Sequence, residues 1–270
     1  MHPVPAATLH APAEHGLPRV SFWTRLHFVW ALVFTAVAMV PCTAAVLVHN
    51  AFRFSARTFK FWATLWARLV LMAAGVKVES DVRMRLERDE PAVFVANHQN
   101  ELDIVTLLAG IPHPFGYMAK AELRRVPVLG SVLKRTACLF VDRSDPRRAV
   151  KSIHEAAERI REGNSVLVFC EGARSFSKEM LPFHRGAFIL AVEAGVPLVP
   201  VTVIDNYRLL DERRAVGRVG TVRMVVGEAI SMDSKTRADV PALMAEIEAT
   251  MQAELDRAHA VSSRPAISPS

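Results

Sequence analysis

Residues 92–110 read AVFVANHQNELDIVTLLAG, an apolar, β-branched run that breaks into a polar loop and then turns apolar again. The first run reads as a buried strand and DIVTLLAG as the helix that follows it. The polar break sets His98 and Asp103 at the mouth of that strand. Five positions of regular helix turn two side chains about 140° apart, so the pair does not share one helical face. They meet if His98 lies in the loop and Asp103 in the first turn of the helix. That arrangement holds an imidazole in one tautomer with a carboxylate behind it, which prepares a general base. An isolated His/Asp pair also occurs as a plain structural contact, and ten histidines make such pairs easy to find.

The same alternation continues outward. From Gly75 on, VKVES, AVFVANH, CLFVDR, SVLVFCEG, VPLVPVTV and TVRMVVG read as strands. DPRRAVKSIHEAAERIREG, HRGAFILAVEAG and DVPALMAEIEATMQAELDRAHA read as helices, the last with Val240, Leu243, Met244, Ile247, Met251 and Leu255 on one face. Strands alternating with helices predict an α/β layered domain around a largely buried sheet, over residues 75–260.

Before that domain the pattern is different. Residues 1–18 are rich in Pro and Ala and predict a disordered leader, without the charged start and apolar block of a cleavable signal. Residues 19–74 predict a membrane-associated helical segment. Leu26 to His49 carries no Asp, Glu, Lys or Arg and is interrupted at Pro41, so a kinked spanning helix and a bent, one-leaflet insertion both fit. The next stretch sets Arg53, Arg57, Lys60 and Arg68 among Phe54, Phe59, Phe61, Trp62, Leu65, Trp66 and Leu69. That is the pattern of a helix in the head-group layer, or of a basic-faced helix packed on a core. Basic residues flank both ends of the apolar block, and a hairpin with both ends on the cytoplasmic side satisfies them. Residues 261–270 predict a disordered tail.

Composition agrees with a lipid surface. Of 270 residues 51% are hydrophobic, the net charge is +6, the mean hydropathy is +0.21 and the pI about 9.6. Anionic head groups attract the basic excess and acyl chains the apolar one. Nucleic acid is disfavoured as a partner, because the basic residues form no compact stripe and no zinc-ligand spacing appears. Cys42, Cys138 and Cys170 are scattered and odd in number, which makes neither a disulfide framework nor a metal site and suits a reducing compartment.

A second polar loop, FCEGARSFSKEMLPFHRGAF, follows the strand SVLVF. Gly172 permits a tight turn, Glu171 and Ser175 bring polar groups, and the planar fork of Arg174 suits phosphate oxygens. Lys178, His184 and Arg185 lie near in sequence; Lys120, Arg124 and Arg125 form another basic cluster beside VPVLG. Cys170 has no readable base beside it and is disfavoured as a nucleophile, as is Ser175.

Together these stretches resemble the glycerolipid acyltransferases, typified by enzymes that acylate 1-acyl-sn-glycerol-3-phosphate. NHQNELD is similar to that family's first signature, KAEL with VPVLG to its second, FCEGARS to its third and VPLVPV to its fourth, and CLFVDR resembles the strand leading to Arg143. The likeness covers roughly residues 75–227. Cys170 and Ala173 depart from the Pro and Thr usual in the third block.

The resemblance implies a layered acyltransferase domain in which His98 is the base, Asp103 orients it, and Arg174 with Lys120 holds an acceptor phosphate. Glu171, Gly172 and Ser175 keep the matching positions as substrate-binding candidates, Glu171 either orienting Arg174 or binding the glycerol part. It implies no metal or cofactor, an acyl-CoA or acyl carrier protein donor, a lysolipid acceptor, and a place on the cytoplasmic face of a membrane, bacterial inner membrane included. Another lysophospholipid or a lyso-ornithine lipid is the alternative acceptor. A catalytically silent lipid-binding protein and a hydrolase are the contrasting readings.

Overall fold

The computed structural model describes residues 20–52, 55–87, 90–125, 138–141 and 146–262. The leader, most of the tail, Arg143 and the VPVLG segment lie outside the described residues. The strands are β1 Val76–Val82, β2 Val93–Ala96, β3 Gly116–Lys120, β4 Leu139–Val141, β5 Val166–Phe169, β6 Leu198–Ile204, β7 Leu210–Asp211, β8 Val216–Gly217 and β9 Gly220–Val226. The helices are α1 Phe22–Phe52, α2 Ala56–Ala73, α3 Leu102–Gly110, α4 Pro146–Arg161, α5 Gly186–Ala194, the single turn α6 Asn206–Leu209, and α7 Val240–Ser262.

Seven strands form one sheet in the order β1-β9-β6-β2-β5-β3-β4, parallel throughout except where β9 runs against β6. Successive side chains of a strand face opposite ways, and here both ways are apolar. Val93 and Val95 of β2 join Val166 and Val168 in a core closed by Ala157 and Ile160 of α4, Phe188 of α5 and Ile247 of α7. Phe94, Ala96, Leu167, Val199 and Val201 enter the opposite core, closed by Val70 and Leu71 of α2 and by Leu107 and Leu108 of α3. The result is helix, sheet and helix in three layers.

Helices α1 and α2 form a hairpin against this body. Ser55 caps α2, its side chain accepting from Thr58 N, and Gly75 follows the helix in the left-handed region (φ 62°) before β1 begins. Helix α1 buries Ala38, Cys42 and Val46, a stripe at four-residue spacing, and leaves Trp23, Trp30, Val33, Val37 and Val40 exposed. His27 Nε2 approaches Ala74 O at 3.0 Å, and Trp30 Nε1 donates to Ala73 O at 3.2 Å. Trp66 Nε1 of α2 donates in turn to Thr35 O at 3.2 Å. Phe22–His49 is long and apolar enough to cross a membrane by length and composition.

The structure decides two local points. GYMAK is a strand, with Lys120 at its end opposite Val141 of β4, and AELRR is a turn of 3-10 helix. Helix α2 packs on the core rather than lying free of it, because Lys60 points inward. Its Nζ donates to Leu108 O at 2.7 Å and lies 5.1 Å from the Phe115 ring centroid.

Candidate active site

Parallel strands β2, β5 and β6 all end at the same edge of the sheet, where open α/β sheets place their sites. The β2 exit carries His98, the β5 exit Glu171 to Phe176, and the β6 exit Asp205 and Asn206. Ala96 pairs with Phe169 and Val201 in register, which brings the three exits side by side.

Asp103 lies in the first turn of α3, fully buried. Its Oδ2 accepts from His98 Nδ1 at 2.7 Å, Gln99 N at 2.5 Å and Asn100 N at 3.0 Å, and its Oδ1 from Asn206 Nδ2 at 2.6 Å. Because the carboxylate is the acceptor, Nδ1 of His98 carries the proton and Nε2 keeps a lone pair for a substrate. The imidazole lies flat on Phe169, with centroids 3.8 Å apart and planes 12° apart. Phe169 is stacked in turn on Tyr117, whose hydroxyl donates to Ile104 O at 2.8 Å. Ring tilt and tautomer are therefore both set before any substrate arrives.

The loop is tied down at each neighbouring residue. Asn97 exchanges two hydrogen bonds with the backbone of Val203, at 2.9 and 2.7 Å. Asn100 Nδ2 donates to Asn206 O and Leu210 O, each at 2.8 Å. Gln99 Oε1 accepts from Tyr207 N at 3.2 Å. These amides are visible in NHQNELD, but their partners lie more than a hundred residues away, so sequence alone did not assign them roles.

Glu171 is 2% exposed, and both its oxygens go to backbone: Oε1 accepts from His98 N at 2.7 Å and Oε2 from Leu181 N at 2.6 Å. Burial pushes its carboxyl up to about 7, against the opposing pull of those two hydrogen bonds. Of the two sequence assignments, neither contact with Arg174 nor an open face for glycerol is what the carboxylate shows; it joins the histidine loop to the Arg174 loop. Gly172 makes the tight turn at φ 69°. Ser175 N donates to His98 O at 2.8 Å and Phe176 N to Gln99 O at 3.0 Å. Phe176 is held at φ 53°, a left-handed conformation that non-glycine residues rarely take. Two bonds to the histidine loop support that strain.

Arg174 is about one-third exposed, and its Nη1 donates to Glu101 Oε1 and, at 2.8 Å, to Glu212 Oε1. Its guanidinium lies 5.2 Å from the Phe176 centroid, and that of Arg213 lies 4.1 Å from the same ring. Glu212 and Arg213 lie outside the quoted motifs, and Glu101, though inside NHQNELD, was not singled out from sequence. Lys120 ends β3, two strands from β2, at the same edge of the sheet. Cys170 is buried, and burial pushes its thiol well above the ordinary value, which removes it as a nucleophile at neutral pH.

An almost wholly apolar cavity of about 280 Å³ adjoins this edge. Phe28 and Leu32 of α1, Trp66 of α2 and Leu102 of α3 line it, and Glu101 and Glu212 stand on its wall.

The Acyltransferase family model matches residues 77–204. A human 1-acyl-sn-glycerol-3-phosphate acyltransferase beta is 31% identical over 83% of this chain and 79% of its own length. The Haemophilus influenzae 1-acyl-sn-glycerol-3-phosphate acyltransferase is 31% identical over 67% of this chain and 77% of its own. An uncharacterized Schizosaccharomyces pombe acyltransferase is 36% identical over 63% of this chain, which spans 64% of that relative's length. The crystal structure of the 1-acyl-sn-glycerophosphate acyltransferase PlsC from Thermotoga maritima shares the fold, with a TM-score of 0.72 at 22% identity over 91% of this chain and 98% of that one. Sequence likeness on this scale makes the chain a member of the glycerolipid acyltransferase family.

Proposed function

We propose that the protein transfers a fatty acyl group from an acyl thioester to the free hydroxyl of 1-acyl-glycerol-3-phosphate, giving phosphatidate. The observation that carries the chemistry is His98, with Nδ1 committed to Asp103 and Nε2 left to receive a proton. As the acceptor hydroxyl oxygen attacks the thioester carbonyl carbon, its proton passes to Nε2. Asp103 stabilises the imidazolium that results. The tetrahedral intermediate then collapses, the carbon–sulfur bond breaks, and the thiolate takes the proton back from His98. The thioester is already activated, so the reading calls for positioning and proton transfer and for no cofactor or metal. Coenzyme A and acyl carrier protein both satisfy it as donor carriers.

Arg174, with Lys120 from the neighbouring strand end, is the proposed anchor for the acceptor phosphate. The apolar cavity between α1, α2 and α3 is of a kind that takes an acyl chain. The exposed apolar flank of α1 supports attachment to a membrane, and the setting proposed is the cytoplasmic face of a bacterial inner membrane.

One observation favours a second reading. Two carboxylates beside one arginine also complement a head group that carries both charges, such as a lyso-ornithine lipid or another zwitterionic lysolipid. Detergent-purified protein is therefore to be given each donor with a panel of lysolipids and the products identified by mass spectrometry. Phosphatidate formed from lysophosphatidate, faster than any other product, is the expected result. Acylation of amine-bearing lysolipids alone would replace the first reading by the second.

A further inference from the structure

Arg174 stands paired, and its partners have the same sign of charge as the group it is proposed to bind. One guanidinium nitrogen serves two carboxylates, Glu101 and Glu212, so the charge of Arg174 is already matched before any acceptor arrives. A phosphate dianion entering such a corner is repelled unless a carboxylate gives way.

Glu212 is the one built to do so. Its Oε2 is enclosed and accepts no hydrogen bond among the described residues. A carboxylate with one oxygen unsatisfied is held less firmly than one with both engaged. Burial raises its carboxyl pKa, an effect that Glu101 and Asp103 reinforce and Arg174 opposes. Glu212 also opens the four-residue turn joining β7 to β8, a small sheet of its own that does not join the main one. The next residue is Arg213, nearly half exposed and only loosely paired with Asp211 at 3.9 Å. Its guanidinium rests on the Phe176 ring that Arg174 also approaches.

We infer that Glu212 is a specificity-determining residue: it occupies Arg174 until an acceptor phosphate displaces it, and Arg213 then pairs with the same phosphate. The inference rests on the phosphate-bearing acceptor proposed above. A phosphate offers Arg174 higher charge and a bidentate edge, and so outcompetes a singly bonded carboxylate. A head group without phosphate offers neither and leaves Glu212 in place. Discrimination among lysolipids thus comes from the contact they must break as well as the one they make.

The test is steady-state kinetics of the full chain in detergent, comparing wild type, Glu212→Gln and Arg213→Gln. Lysophosphatidate and 1-monoacylglycerol serve as acceptors, the latter followed by its inhibition constant where it is not turned over. Glu212→Gln keeps the shape and removes the competing charge. Its KM for lysophosphatidate should fall by about 10- to 100-fold, the scale of one lost charged hydrogen bond, with no comparable fall for monoacylglycerol. Arg213→Gln should raise the lysophosphatidate KM. An unchanged lysophosphatidate KM in Glu212→Gln overturns the inference, as does an equal fall for both acceptors, which would mean that Glu212 only shapes the pocket. A raised KM overturns it in favour of a head group that Glu212 binds directly. Wild-type protein that acylates no lysophosphatidate removes the acceptor reading and this role together, whereas wild-type protein that uses it beside an unimproved Glu212→Gln removes this role alone.

Discussion

His98 and Asp103 are close in sequence; their spacing and the strand before them left a meeting of loop and first helical turn open, and the family resemblance selected it. Glu171 was visible as a residue but not as a device, because both its partners are backbone N–H groups that only the folded loops bring to it. Asn206, which completes the shell around Asp103, lies 103 positions away from it and gives no local signal. The buried Glu171 carboxyl carries a testable consequence. Its folded value of about 7 exceeds the ordinary 4.5, so the fold prefers the protonated form. Its contribution to stability is fully present below the ordinary value and is lost as pH rises towards and through the folded one, since the unfolded chain releases its proton first. Denaturant midpoints of wild type should therefore drop between about pH 4.5 and about pH 7 more steeply than those of Glu171→Gln, which has no proton to lose there. Parallel pH profiles for the two proteins would show that Glu171 is not the group responsible.

At the scale of elements, strands with both neighbours apolar and helices with one apolar stripe were readable from periodicity alone. Short pieces were not: β7, β8 and the single turn α6 are too brief to show a period, yet the β7–β8 turn carries Glu212 and α6 carries Asn206. Helix α2 shows the other limit. Its lysine and aromatics suit the head-group layer by composition, but Lys60 and Thr64 both donate to Leu108 O, near the end of α3, and dock the helix on the core. A carbonyl in the last turn of a helix lacks an intrahelical partner, which makes it a natural docking point. Helix α1 keeps an exposed apolar flank for which the core has no place. Apolar insertion is not screened by ions, so high salt should leave the full chain in the membrane pellet and detergent should release it. Recovery of active, monodisperse protein by salt alone would contradict a membrane role for α1.

At the scale of the molecule, three parallel strands end at one edge, and the proposed base and the Arg174 loop are hung from those ends, with Lys120 at the end of a fourth. The crossover helices bury both faces of the sheet, so the edge is held as rigidly as the core. The helical hairpin comes close to the small sheet: α1 passes so near β8 that a Cβ on Gly217 would come within 3.2 Å of the Phe28 backbone. Helix α1 lines the apolar cavity, and Glu101 and Glu212 on the cavity wall pair with Arg174, a layout suited to a substrate with an acyl chain at one end and a charged head at the other. The central claim remains the proton transfer at His98. Its most direct test is the turnover of purified His98→Ala protein, checked for an unchanged melting profile, with lysophosphatidate and an acyl thioester. The account predicts a loss of about 10²- to 10⁴-fold, the usual contribution of a general base; turnover near that of wild type would contradict it.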